Sequence, residues 1–311
     1  MSHRANIPRR YFLQSAASCL GFGLVDLPNS WFRQTPDLEK AFAEIRSNLL
    51  EMVNEERAVA KVKAVAFDDL ATRVATKHAL AMATDDFVSH WGRDGLKPYH
   101  RYSFAGGTHA TQENISAADN TWSMKVADLK QDTAYLHVRL YQEQPPNDGH
   151  RKTILAPQHT HVGFGLAVDH LRLRMVELFV AKYVEVEPMK RNAKPGDTVS
   201  FSARVTSSEY ALNYVEVYFE PAPVTPELTW LREPRSYSLP DESKVLLPKL
   251  PPPITYADTT TGIVDVYPDG RFRVPIKLFK EAPGIYTIAV WLKRRGSGEI
   301  FPVTEVCVRA E

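Results

Sequence analysis

Four polar residues in the first half of the chain have the types that acid–base or metal chemistry requires. His150 follows the tight turn "PPNDG", His90 follows a helical pattern, and Glu143 lies seven residues before His150. Glu113 stands before an asparagine and an isoleucine. His90 and His150, with Glu113 or Glu143, would form a ligand set for a divalent cation, most suitably zinc. Without a cation, the same groups would form a hydrogen-bonded network or an acid–base pair for a substrate.

The segments around these residues alternate between helical and strand-like patterns. Apolar residues spaced for a 3.6-residue period predict helices over 38–53, over 69–83 and from about 122 to 140. The pattern then changes, and 161–168 and 171–180 read as two strands of a hairpin. Helices followed by a hairpin, with no repeated β-α units, predict an α+β fold in which helices pack on a sheet.

The second half of the chain has a different composition. All ten histidines lie at or before His170, whereas fifteen of the 22 prolines lie from Pro188 onward. Short β-rich segments separated by turns predict a β-sandwich of the immunoglobulin-like type over 190–311. The histidine-bearing domain is then 37–183. A proline-rich insertion at 221–256 is predicted to be an ordered loop without a strand.

The N-terminal segment has the layout of an export signal over residues 1–27. Paired basic residues, Arg9 and Arg10, precede an aromatic residue, a leucine and a weakly apolar stretch. This string resembles a twin-arginine signal, which implies export to the periplasm or the extracellular space. Cys19 lies in a faint lipoprotein-like box, so N-terminal anchoring is a second option. No further transmembrane helix is expected.

Charge and cysteine content exclude several classes of protein. The formal net charge is +1, which gives no reason to expect a nucleic-acid partner. The two cysteines, Cys19 and Cys307, stand at opposite ends of the chain, outside any CxxC pair. Cys307 alternates with two valines and is predicted to be a packed strand residue.

Several short motifs occur in the order that one family uses. They are "NEERA" (54–58), "FVSH" (87–90), "EN" (113–114), "GHRKTIL" (149–155) and "HVGFGLA" (161–167). Together they resemble the CAP superfamily of cysteine-rich secretory, antigen 5 and pathogenesis-related proteins, also called SCP-like. The resemblance covers roughly residues 48–183. The disulfides of animal and plant members are absent, which fits a bacterial type.

The resemblance implies an α-β-α sandwich whose central cavity is lined by two histidines and two acidic residues. His90 and His150 match the histidines, and Glu113 matches the acid of the Glu-Asn pair. Glu143 matches an acid at a helix end, where the family often has Trp-x-x-Glu. This chain has Leu140-Tyr141-Gln142-Glu143 there, without the tryptophan.

The preferred function is non-enzymatic binding of a divalent metal or a small or lipid-like ligand in this cavity. A cell-envelope or extracellular component is a further candidate partner. One alternative is a secreted hydrolase that uses Glu113 and His150, although the sequence has no GxSxG, HExxH or Cys–His nucleophile motif. Another alternative is an envelope interaction protein in which the cavity is only structural.

Overall fold

A computed structural model describes residues 36–119 and 125–311 of the chain. The predicted export signal, 1–27, and Cys19 within it lie outside these described residues. Residues 35–311 cluster into one compact unit, so the two predicted domains pack against each other. Of the helices in the described ranges, none is long and apolar enough to cross a membrane.

The first region is a four-stranded sheet with helices on both faces. Its elements are α1 (Pro36–Val59), β1 (Ala66–Phe67), α2 (Asp69–Thr84), α3 (Pro98–Phe104), β2 (Ala110–Ala118), α4 (Val126–Tyr141), α5 (Gly149–Leu155), β3 (His161–Asp169) and β4 (Arg172–Ala181). The strand order is β1-β3-β4-β2, with β1 parallel to β3 and the other neighbours antiparallel. The predicted helices and the predicted hairpin are present.

Alternation along β3 sends its side chains to two different helical layers. Val162, Phe164 and Leu166 share a buried core with α1, α4 and α5. The next residue along, Ala167, packs in a second core with the apolar face of α2. The first region is therefore an α-β-α sandwich, as the motif resemblance implies.

Gly163 and Gly165 allow β3 to lie directly against the backbone of α2. A Cβ on Gly165 would lie 2.1 Å from the carbonyl carbon of Ala75, and one on Gly163 would lie 2.2 Å from the amide nitrogen of Thr72. No side chain fits at such distances, so these positions require glycine.

The second region consists of two sheets that share one apolar core, and their strands are antiparallel apart from the parallel pair β6–β14. Its strands are β5 (Val184–Val186), β6 (Asn192–Ala193), β7 (Thr198–Val205), β8 (Tyr210–Pro221), β9 (Ser243–Leu246), β10 (Asp265–Val266), β11 (Arg271–Lys277), β12 (Gly284–Arg294), β13 (Ile300–Pro302) and β14 (Val306–Ala310). One sheet has the order β10-β11-β7-β5, and the other contains β6-β14-β12-β8-β9. The region is thus a β-sandwich, as predicted.

The proline-rich insertion contains regular structure, which corrects one sequence-based expectation. A short helix, α6 (Leu228–Leu231), is followed by β9, which pairs antiparallel with β8. The predicted loop without a strand was therefore wrong. The physical reason is that β9 covers the hydrogen-bonding edge of β8, which would otherwise be exposed.

The second region adds residues directly beside β2 of the first. The backbone N–H of Ala110 donates to the carbonyl of Val303 at 3.0 Å. The backbone N–H of Cys307 donates to Ser103 Oγ of α3 at 2.7 Å. Cys307 is fully buried in β14 and packs in a small core with Tyr99, which confirms the prediction of a packed strand residue. These bonds bring the β13–β14 connection to the end of β2.

Candidate functional site

A cavity of about 590 Å³ opens beside β2, between the first and second regions. All four residues predicted from the sequence line it: His90, Glu113, Glu143 and His150. They form two separate histidine–glutamate pairs on different elements. The volume is within the range of pockets that hold small molecules, which is about 300–1,000 Å³.

The first pair joins His90 to Glu113 of β2 and includes an arginine that the sequence analysis did not identify. His90 Nδ1 lies 2.9 Å from Glu113 Oε1, and Arg101 of α3 donates to Glu113 Oε2 at 2.6 Å. Burial opposes ionisation of this carboxyl, but Arg101 and the hydrogen bond from His90 outweigh it and lower the pKa of Glu113 to about 2. Glu113 is therefore a charged, fully paired carboxylate at neutral pH.

Several hydrogen bonds fix the segment that carries His90. Arg101 donates a second hydrogen bond, at 2.6 Å, to the carbonyl of His90 itself. His78, buried in α2, is 2.7 Å from the carbonyl of Ser89. Burial lowers the pKa of His78 to about 4, so its neutral ring donates this hydrogen bond. His78 is thus a core histidine that fixes the backbone beside His90, and it is not itself a ligand-binding residue.

The second pair joins His150 to Glu143 at the junction of α4 and α5. His150 Nδ1 lies 2.5 Å from Glu143 Oε1, and the backbone N–H of His150 donates to Glu143 Oε2 at 3.0 Å. Arg151 stacks on the ring of Tyr141, 4.2 Å from its centroid, and donates to the Tyr141 carbonyl at 2.6 Å. These contacts hold the end of α4 against the first turn of α5, which positions Glu143 without the family's tryptophan.

In both histidines Nδ1 is bound to a glutamate of the protein, and Nε2 is left available for a ligand. A carboxylate bound at Nδ1 accepts a hydrogen bond, so Nδ1 carries the proton in the neutral ring. Among the described residues, neither Nε2 of His90 nor Nε2 of His150 has a hydrogen-bond partner. In the neutral form of each ring, Nε2 is therefore free to accept a hydrogen bond from a bound molecule.

The residues as arranged do not fit the predicted zinc site. Among the parts of the chain that the structure describes, no group of three or more His, Cys, Asp or Glu side chains is placed to hold one metal ion. Arg101 also occupies the Glu113 carboxylate, and its positive charge would repel a cation there. Zinc stays a prediction that this geometry does not support.

The arrangement also weakens the hydrolase alternative. A general base works best when its pKa lies near the working pH. A carboxylate with a pKa of about 2 that is paired with Arg101 is a weak base, which leaves Glu113 poorly suited to activate water. Glu113, one of the two residues named for that alternative, is therefore better suited to hydrogen bonding than to proton abstraction.

The second region supplies part of the cavity wall, which sequence reasoning missed. Tyr237, from the proline-rich insertion, accepts a hydrogen bond from the backbone N–H of Glu113 at 2.8 Å. Its ring packs on His90 with 4.8 Å between centroids. Glu305, from the β13–β14 connection, also lines the cavity. Neither residue lies in a recognisable motif, so no local signal could have identified it.

A buried network behind the cavity joins four elements. His137 of α4 lies between Glu177 of β4, at 2.6 Å, and Glu56 of α1, at 3.0 Å. Asn114 of β2 donates to Glu177 Oε2 at 3.1 Å and to the carbonyl of His150 at 3.2 Å. The network therefore links the helical layer to the backbone of a cavity histidine.

The "NEERA" motif also has a structural role. Arg57 is fully buried and donates to the carbonyls of Lys63, Ile154 and His159. Asn54 pairs with both the N–H and the carbonyl of Val65. These hydrogen bonds fasten α1 to the loop before β1 and to the end of α5. The motif therefore supports the fold around the cavity rather than contacting a ligand.

An α-β-α sandwich with two histidine–glutamate pairs around one cavity defines the class of this protein. Residues 50–183 match the family model described as the cysteine-rich secretory protein family, CAP. This part of the chain is therefore a CAP domain, as the motifs predict. No curated protein matches the chain.

Three solved structures resemble the chain. An extracellular protein containing an SCP domain from Bacillus anthracis str. Ames shares 22% identity over 48% of this chain and 44% of that one, with a TM-score of 0.36. An outer surface protein from Borrelia burgdorferi shares 16% identity over 45% of this chain and 93% of that one, with a TM-score of 0.36. A cysteine-rich secretory protein from Staphylococcus aureus subsp. aureus Mu50 shares 17% identity over 45% of this chain and 39% of that one, with a TM-score of 0.30. The chain spans less than half the length of the first and third.

Proposed function

We propose that the cavity binds a small, uncharged molecule rich in hydroxyl groups, such as a sugar, and that the protein is a binding protein rather than an enzyme. The observation that carries this proposal is the pair of unpartnered imidazole Nε2 edges of His90 and His150 beside one cavity. Each accepts one hydrogen bond from a ligand hydroxyl. Because Glu113 is already neutralised by Arg101, the cavity does not require a charged ligand.

The lining of the cavity combines apolar surface with many hydrogen-bonding groups, a mixture that suits a sugar better than an acyl chain. Its aliphatic side chains are few, and they are Ala110, Ala181, Leu239 and Pro302. Most of the others end in hydroxyl, amide, carboxyl or imidazole groups, such as those of Asn147, Thr153, Gln158, Ser236 and Ser238. Hydroxyl and amide groups both donate and accept hydrogen bonds, as sugar hydroxyls do. An acyl chain would leave these groups unpaired at a cost.

N-acetylglucosamine is expected to bind to the protein, and His150→Ala is expected to weaken that binding about tenfold, which is the effect of one lost hydrogen bond of about 1.4 kcal/mol. Isothermal titration calorimetry of wild type and variant at pH 7 measures both. The His150 side chain is one-third exposed, so its removal should leave the fold intact.

His170→Asn is the matched control for this binding experiment. His170 is an exposed histidine on the β3–β4 turn with a φ of 47°, which asparagine tolerates. Its affinity should equal that of the wild type. Failure of the wild type to bind the sugar, or equal binding by His150→Ala, would refute the proposed function. Metal analysis of the same preparations tests zinc: metal present in wild type and absent from His90→Ala/His150→Ala would favour a metal site instead.

We also propose that the protein is exported and acts outside the cytoplasm. Support comes from Arg9 and Arg10 before an aromatic residue and a leucine, and from the similar structures, which are named as extracellular, outer surface and secretory proteins. Replacing both arginines with lysine in the full chain should retain the protein in the cytoplasm. Cell fractionation and immunoblotting measure this. Unchanged export of the double-lysine variant would contradict a twin-arginine route.

A further inference from the structure

Glu305 is a buried carboxyl group in the cavity wall that belongs to the second region. It lies in the connection between β13 and β14 and is only 7% exposed. Its Oε2 accepts two hydrogen bonds from Thr111 of β2, at 2.8 Å from the backbone N–H and at 3.1 Å from Oγ1. Its other oxygen, Oε1, has no hydrogen-bond partner among the described residues, although the residue lines the cavity.

Glu305 and Glu113 lie on the same wall in opposite environments. Thr111, which donates hydrogen bonds to Glu305, lies two residues before Glu113 on β2. The side chains of Thr111 and Glu113 therefore point to the same face of the strand, about 7 Å apart. Glu113 is paired with Arg101 and His90. Within the described residues, no cation pairs with Glu305. Glu113 is therefore charged, whereas Glu305 has no cation in the described part of the chain that would stabilise its charged form.

The surroundings of Glu305 favour its protonated form. Burial raises the pKa of Glu305 to about 8, although the hydrogen bonds from Thr111 oppose this. Three ionisable groups that interact electrostatically with Glu305 are Tyr99, Tyr237 and Cys307, and burial, reinforced by the Glu305 carboxyl, raises the pKa of each, so they are uncharged at neutral pH. Because Thr111 donates to Oε2, the proton resides on Oε1. Glu305 thus carries an O–H donor at the cavity wall.

We propose that Glu305 donates a hydrogen bond to a carbonyl oxygen of the bound molecule and so makes the cavity selective for N-acetylated sugars. The inference rests on the proposed function and assigns one ligand group to one residue. The imidazole Nε2 atoms accept hydrogen bonds from hydroxyls, whereas a carboxylic acid O–H requires an acceptor. The acetamide oxygen of an N-acetyl sugar is a stronger acceptor than a hydroxyl, and the same sugar carries the hydroxyls that the histidines need.

The test is calorimetric titration of the full chain with N-acetylglucosamine at pH 7 and pH 9. Wild-type affinity should fall about tenfold between these values, because the donor is lost as Glu305 ionises. Glu305→Gln also offers an N–H donor, so it should keep most of the affinity and lose the pH dependence. Glu305→Ala should bind about tenfold more weakly at pH 7. Glucose, which lacks the acetamide, should bind more weakly than N-acetylglucosamine to the wild type.

The outcomes separate this inference from the proposed function. The other ionisable groups of the cavity, the His90–Glu113 and His150–Glu143 pairs, are unchanged in Glu305→Gln, so a pH dependence that persists there would overturn the role of Glu305. Equal binding of the two sugars would overturn the carbonyl assignment. Either result leaves the proposed function intact if His150→Ala still weakens binding. A wild type that binds neither sugar refutes both.

A ligand-free measurement tests the protonated state itself. The unfolded chain loses this proton near pH 4.5, whereas the folded protein keeps it until about pH 8. The free energy of unfolding should therefore contain a contribution that falls as pH rises from about 4.5 to 8. Glu305→Gln removes that contribution, so its stability relative to wild type should increase over this interval. Parallel curves for the two proteins would contradict a neutral Glu305.

Discussion

Replacing His137 with alanine is expected to lower the free energy of unfolding by about 3–5 kcal/mol. The ring is fully buried between Glu177 and Glu56. Glu177 is also fully buried, so among the described residues the variant leaves its carboxylate with only the amide of Asn114 as a partner. An uncompensated charge in the interior is costly, and this loss is a large part of a typical stability of about 5–15 kcal/mol. Urea unfolding at pH 7 measures it.

Two controls distinguish the cost of leaving the Glu177 charge unpaired from the cost of the space that the missing His137 side chain leaves. Tyr135→Ala changes an exposed ring on the same helix and should shift stability by less than about 0.5 kcal/mol. In a Glu177→Gln background no charge is stranded, so adding His137→Ala should cost much less than it does in the wild type. Equal costs in the two backgrounds would show that the network owes little to charge.

The pH dependence of the His137 effect has a definite sign. Burial disfavours the charged ring, but Glu177 and Glu56 outweigh it and raise the pKa of His137 to about 10. The contribution to stability is fully present below about pH 6.5 and is lost as pH rises through about 10. The difference between wild type and His137→Ala should therefore narrow between pH 7 and pH 10.5. A constant difference over that range would contradict a charged imidazole.

Local patterns in the sequence were enough to predict α1, α2, α4 and the hairpin of the first region, but not the short helices α3 and α5. The 3.6-residue period in 38–53 and 69–83 reports which side of each helix is buried, and burial depends mainly on that period. The motif resemblance placed His90 and His150 on one cavity because the family's fold brings those motifs together. The same patterns also contained evidence for a buried ion pair that the sequence analysis did not use. His137 lies in the buried stripe of α4, and Glu177 lies in a buried strand, so each needed a charged partner.

The remaining cavity residues could not be predicted because they come from distant parts of the chain. Arg101 reaches Glu113 from α3, Tyr237 reaches it from the insertion, and Glu305 reaches Thr111 across 194 residues. None of these contacts follows from a local period or motif. The insertion was misjudged for the same reason, since β9 forms only because the edge of β8 is available. Packing of the second region against the first decides what the cavity can bind.

Arg101→Met is expected to destabilise the protein by about 3–5 kcal/mol, comparable to the loss of His137. Glu113 is almost fully buried, and within the described part of the chain its carboxylate keeps only the hydrogen bond to the His90 ring when Arg101 is removed. The carbonyl of His90 also loses the hydrogen bond from Arg101, and the carbonyl of Leu96 keeps only the one from the backbone N–H of Gly92 among the described residues. Urea unfolding at pH 7 measures the effect. Arg93→Met, which breaks an exposed pair with Asp85, should cost no more than about 1 kcal/mol.

The double variant Arg101→Met/Glu113→Gln separates the charge from the lost packing. Glutamine keeps the size of Glu113 without its charge, so the double variant should be clearly more stable than Arg101→Met alone. Removing Arg101 also removes the main cause of the low pKa of Glu113. In the wild type, the stabilising contribution of ionised Glu113 is lost only as pH falls from about 4.5 through about 2. In Arg101→Met, protonation of Glu113 instead removes an unpaired buried charge and so stabilises the variant. The gap between wild type and Arg101→Met should therefore shrink as pH falls below about 4.5. A gap that stays constant would show that Arg101 stabilises the protein only through the carbonyls of His90 and Leu96, and that Arg101 does not keep Glu113 charged.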